Sequence, residues 1–175
     1  MARSIRFAEG LQVVPLLTPG AFTADNESAH VKLENFHWLT FLIQYAAMTV
    51  NTTDSFAISV KSTTNAAGST ATGDYALPFW YREYTAIATD YWGTITAVTT
   101  ATGSVTITGD TDGGALLIDV DPAVIPGHDA DATHLYLDID VTGAATDITW
   151  PISISGIFEP RYPQAYQKSS TSAAT

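Results

Sequence analysis

The chain has 175 residues and a net charge of −11, from 18 acidic against 7 basic side chains. The bases are scattered at Arg3, Arg6, Lys32, Lys61, Arg82, Arg161 and Lys168, which excludes the cationic footprint that non-specific binding to nucleic acid or anionic membranes requires. No cysteine is present, so disulfides, thiolate chemistry and cysteine-based zinc sites are excluded as well.

Apolar residues make up 46% of the chain, a globular composition, whereas charged residues reach only 14% against the roughly 25% of ordinary soluble domains. A surface rich in Thr, Ser and Ala is either a hydrated hydroxyl surface or one that a partner covers. One domain is expected, and a compact domain of this length buries roughly 70% of its unfolded surface without covalent staples. Residues 1–10 lack the apolar core of a signal peptide. The longest apolar run, Trp38 to Val50, is broken by Thr40, Gln44 and Thr49 and is too short to span a bilayer. A soluble protein made in the cytoplasm is expected.

In chain order, residues 1–29 read as an extended N-terminal arm, because Pro15 and Pro19-Gly20 interrupt Leu11 to Leu17 and leave no helical spacing. Such an arm packs along its own domain or reaches to a neighbour. The main domain is expected over 30–167. Val31 and Leu33 alternate with Lys32 and Glu34, and a turn at Asn35 leads into a strand over His37–Tyr45. There Leu39, Phe41, Ile43 and Tyr45 share one face and Trp38, Thr40, Leu42 and Gln44 the other, as a two-residue period dictates. A buried helix over 38–48 is the rival, but Phe36, His37, Thr40 and Gln44 break a helical stripe.

A further strand is predicted over 55–61, then a small-residue loop from Thr63 to Gly73 and an aromatic block from Tyr75 to Trp92. Residues 94–99 and 104–108 predict a hairpin across Thr100 to Gly103. Leu116–Val120, Leu135–Val141 and Ile148–Phe158 supply three more strands, and 168–175 form a polar tail. About eight short strands with regular turns predict an all-β, antiparallel β-sandwich or jelly roll.

Chemistry-bearing residues are sparse. Eight carboxylates form four Asp-x-Asp pairs between residues 110 and 140, with no Lys or Arg among them. Within 135–141, Tyr136, Asp138 and Asp140 are expected to face outward. Asp110, Asp112, Asp129 and Asp131 lie in loops and are the candidates for a Ca²⁺ site, which takes six to eight oxygens, although none has EF-hand spacing. The competing reading is an acidic edge that resists strand-to-strand aggregation or faces a basic partner. His30, His37, His128 and His134 form no metal or nucleophile motif and are read as structural or surface residues. Trp80, Tyr81, Tyr84, Tyr91 and Trp92 are candidates for a sugar-stacking platform, or else for a core or oligomer interface. No catalytic set and no cofactor is expected.

Several stretches carry a resemblance: Leu17 to Phe22, Asn26-Glu27-Ser28, Val31 to Asn35, His37 to Tyr45, Leu117 to Pro122 and Phe158 to Pro163. Together they resemble small structural proteins from the head-gene clusters of tailed bacteriophages, of the capsid decoration or cement type. The resemblance implies a β-sandwich on the capsid exterior that binds the major capsid protein and itself, as a homo-oligomer such as a trimer, with no nucleic-acid or membrane partner. The alternatives are a tail or head–tail junction component and a carbohydrate-binding adhesion module. Partner contacts are expected from Leu11, Val13, Val14, Leu16, Leu17 and Phe22 in the arm, and from Phe158, Arg161, Tyr162 and Tyr166, because these mixed Pro, aromatic and aliphatic segments lack sheet alternation.

Overall fold

The computed structural model describes residues 11–22, 24–47, 55–64, 75–84, 91–100, 102–108, 113–142 and 150–160. The long strands are β1 (Gln12–Phe22), β4 (Phe36–Tyr45), β5 (Ser55–Thr63), β7 (Phe79–Tyr84), β10 (Gly114–Val120), β11 (His134–Thr142) and β12 (Trp150–Pro160). Short segments join them: β2 (Asn26–Glu27), β3 (Val31–Lys32), β6 (Tyr75–Ala76), β8 (Thr96–Val98) and β9 (Val105–Thr108). A one-turn helix, α1 (Ile125–His128), follows the 3₁₀ turn Pro122–Val124. Asp121 caps that turn by accepting from the Ala123 amide at 2.8 Å, with Pro122 supplying a pre-set φ at the first helical position.

Sheet A runs β1-β12-β4-β10-β7-β8, and sheet B runs β2-β11-β5-β6 with β3 beside β11 and β9 beside β5. All these pairings are antiparallel. They are nested: β1 with β12, β2 and β3 with β11, β4 with β10, and β5 with β9. A long ladder of paired strands, curled so that β12 also meets β4 and β11 also meets β5, is a jelly roll. The expected all-β sandwich is therefore the fold. Segments β6 to β8 are inserted at the tip of the ladder, between β5 and β9.

The core follows from alternation. Leu39, Phe41 and Ile43 of β4, Leu116, Ile118 and Val120 of β10, and Ile152, Ile154 and Phe158 of β12 point from sheet A toward sheet B. Phe56, Ile58 and Val60 of β5 and Leu135, Leu137 and Ile139 of β11 meet them. Tyr45 and Phe56 join the sheets edge-to-face at 5.8 Å. Each fully buried side chain of this kind contributes about 1.5–3 kcal/mol.

One expectation is sharpened and another corrected here. Of the two placements open to the extended N-terminal segment, residues 12–22 take the one along their own domain, as the edge strand β1 of sheet A, and do not stand off from it. Pro15 and Pro19 are tolerated because β1 is an edge strand whose one strand neighbour among the described residues is β12, and register shifts at Pro15/Leu17 and Leu17/Gly20 hide its alternation. Leu16 enters the core where β12 has Gly156; a Cβ there would lie 2.7 Å from the Phe158 ring and 2.8 Å from Leu16 Cδ1. The hairpin of 94–99 with 104–108 does not form. Instead β8 pairs with β7 in sheet A and β9 with β5 in sheet B. The link between them is a tight turn in which the Gly103 amide donates to the Thr99 carbonyl at 2.8 Å, with Gly103 at φ +67°. Among the described residues, no helix is long and apolar enough to cross a membrane.

Candidate functional site

The residues expected to hold a partner are mostly part of the fold. Leu16 and Phe158 lie in the core, at 4% and 1% exposure, and Val14, Leu17 and Phe22 pack half-buried against it. Leu11 is half-buried, and Val13, 50% exposed, is available at the surface. Phe158 stacks edge-to-face on Phe36 at 5.5 Å, which is packing and not docking. Arg161, Tyr162 and Tyr166 lie outside the described residues.

Of the four cation candidates, Asp129 is taken up by structure. Asp129 is buried, and its carboxylate accepts from the Ser62 hydroxyl at 2.8 Å and the Asp131 amide at 3.3 Å, closing the turn after α1. Asp131 is exposed, and Asp110 and Asp112 lie outside the described residues. No group of three or more His, Asp or Glu side chains arranged to hold a metal occurs among the described residues. Asp138 faces outward from β11 as expected, yet it is buried in an ion pair with Lys61 of the neighbouring β5. Asp140, two residues on, is held above the ordinary carboxylate range by desolvation and by the Asp138 charge, with Lys61 opposing.

Beside this pair lies a histidine cluster at the β3 edge of sheet B. His30 stacks on Tyr136 with ring centroids 4.4 Å apart and lies 3.6 Å from the Glu27 carboxylate. The Thr133 hydroxyl donates to the Thr64 carbonyl at 2.9 Å, so it accepts from His134 Nδ1 at 2.8 Å. That bond fixes the tautomer and leaves His134 Nε2 buried without a hydrogen-bond partner. Burial, then His30 and Lys32, push the His134 pKa down, against the pull of Glu34. Both histidines are buried. His37 and His128 are exposed and lie apart from them.

The outward face of sheet A is different in kind. Register places Trp80, Asp119, Thr40, Ile157 and Val13 in one row across β7, β10, β4, β12 and β1. The next row holds Arg82, Leu117, Leu42, Ser155 and Pro15. Trp38, beside Glu159, stands above them at 38% exposure, and Trp80 is 40% exposed. Leu42, Leu117 and Ile157 are half-buried. Asp119, Glu159 and Arg82 are the charged side chains of this face among the described residues. The opposite face of sheet B presents Ser, Thr, Glu27, Asp138, Asp140 and Lys61 instead.

The five aromatic residues considered for sugar stacking do not form one platform. Tyr81 points inward and packs against the core. Tyr84 and Trp92 contact at 5.6 Å but tilt by 50°, while Tyr91 projects alone at 84% exposure. The apolar row itself was missed by sequence reading, since it exists only once five strands from distant parts of the chain are in register. Its one visible signal was the apolar content of both faces of β4, Trp38 and Leu42 outward as well as Leu39 and Phe41 inward. Comparison with known proteins finds no matching family model and no matching curated protein.

Proposed function

We propose that this chain is a non-enzymatic structural protein of a tailed-phage virion, a decoration protein that binds the outside of the head and reinforces contacts between capsomers. The observation that supports this reading is the outward face of sheet A, where Trp38, Trp80, Leu42, Leu117, Ile157 and Val13 stand among three charged side chains. Exposed apolar side chains gathered on one face mark an interaction site. Three titratable groups that chemistry could draw on are instead committed to packing: Asp129 to Ser62, Asp138 to Lys61, and His30 to Tyr136. Reinforcement then needs no reaction, because contacts made only in the assembled shell stabilise it by mass action. An acidic protein suits the exterior, away from packaged DNA.

Quantitative mass spectrometry of purified particles, with localisation by electron microscopy, tests this. Hundreds of copies over the head shell are expected. About six or twelve copies at one vertex would instead indicate a ring at the tail or head–tail junction, and absence from particles would overturn a virion role.

A further inference from the structure

We infer that the outward face of sheet A is closed by a second copy of this chain, in a two-fold, face-to-face pairing centred on Leu42 and Leu117. This names a partner for the face on which the proposed structural role rests. Three observations carry it.

The first is charge. A copy carrying −11 is repelled by most of its own surface, but this face presents Asp119 and Glu159 against Arg82, so two copies meet here with little net charge between them. The second is composition. Leu42 and Leu117 are direct cross-strand neighbours on the two central strands of the six-stranded sheet, flanked by Trp80, Ile157 and Val13. An apolar centre with tryptophan and arginine around it is the composition of a protein interface. A two-fold contact needs a self-complementary patch, and an axis through the Leu42–Leu117 pair sets that pair against its own copy, with the polar Thr40–Asp119 pair beside it.

The third is size. Strands about 4.8 Å apart and a rise of about 3.4 Å per residue give six strands and the span from Trp38 to Gln44 a planar area of about 500 Å² per copy. Two copies then bury about 1,000 Å², the lower bound for a specific interface and the range of a reversible association. Like-facing sheets pack in this way in β-sandwiches, with side chains of the two faces interdigitated.

Sedimentation of the purified full chain, with no particles present, tests the inference. At high micromolar concentration the protein should sediment at twice its mass of 18.6 kDa. The double variant Leu42→Thr, Leu117→Thr places strand-favouring β-branched residues at both positions and should weaken association at least tenfold, a loss well within the worth of buried leucine. Its circular dichroism and melting curve report whether it folds. Should it not fold, Trp80→Ala, on an exposed site of β7, should weaken association in the same direction. Thr106→Lys, on the outward face of sheet B, should leave association unchanged. A wild-type chain that stays monomeric, or folded variants that associate as tightly as wild type, would overturn the inference. A monomer that still decorates particles sinks the pairing alone, whereas a dimer absent from particles sinks the virion role alone.

Discussion

Thr40 and Asp119 stand opposite each other on β4 and β10, and the threonine hydroxyl donates to Asp119 Oδ1 at 2.5 Å. The pair sits in the middle of the row from Trp80 to Val13, so the carboxylate there is held in the plane of the sheet by its cross-strand neighbour. Thr40→Val keeps the shape and the β-branch but removes the donor. It should cost about 1.5–3 kcal/mol, the worth of a hydrogen bond to a charged group. Urea unfolding at neutral pH measures this, and an unchanged midpoint would show that water replaces the hydroxyl without loss.

Strand β1 is integral to the sandwich because Leu16 fills the space that Gly156 leaves beside Phe158. Leu16→Ala should destabilise the protein by about 2–5 kcal/mol, and Gly156→Ala should destabilise it through overpacking by about 1–3 kcal/mol. Deletion of residues through 22 should unfold the domain, where removal of an arm would leave it folded. Thermal melts of the three proteins decide between these outcomes.

Ser62 donates to Asp129, both of them buried, and joins β5 to the turn after α1. Ser62→Ala leaves that carboxylate short of a partner and should cost about 1–3 kcal/mol. Because the Asp129 oxygens already accept from Ser62 and Asp131, added Ca²⁺ should not shift the melting temperature. A rise on adding Ca²⁺ to chelator-treated protein would show that the acidic pairs hold a cation after all.

The His134 cluster makes stability depend on pH. Its folded pKa lies below the ordinary 6.5, so the unfolded chain binds the proton more readily. The stabilising contribution is therefore full above 6.5 and is lost as the pH falls through the lowered folded value. Protonation would place a donor at buried Nε2, beside His30 and Lys32, with Glu34 the one acid among the charged groups that shift it. His134→Phe should flatten the stability profile below pH 6.5. Asp140, shifted upward from 3.8, acts in the opposite sense: its contribution is lost as pH rises through its raised value. A wild-type profile that is flat across the histidine range would contradict the cluster's role.

The parts of the fold legible in the sequence are those where one strand carries its own pattern. Leu39 to Tyr45 and Leu135 to Val141 alternate cleanly, and both are strands with the expected faces inward. The two-residue segments β2, β3 and β6 are too short to show any period. In β1 the period is broken by prolines that an edge strand tolerates, and the register shifts that absorb them cannot be seen without β12. Residues 94–99 and 104–108 alternate as strands do, but alternation does not say which sheet a strand joins. The same limit applies to the site. Asp138 reads as unpaired because its cation, Lys61, comes from β5, and the row through Thr40 and Asp119 exists only in register.

The most direct measurement is the heat resistance of phage heads that lack this protein, before and after purified chain is added. Binding should saturate, and the temperature at which the heads rupture should rise with occupancy. Heads that bind no chain, or that bind it to saturation and rupture at the same temperature, would contradict a role in reinforcing the shell.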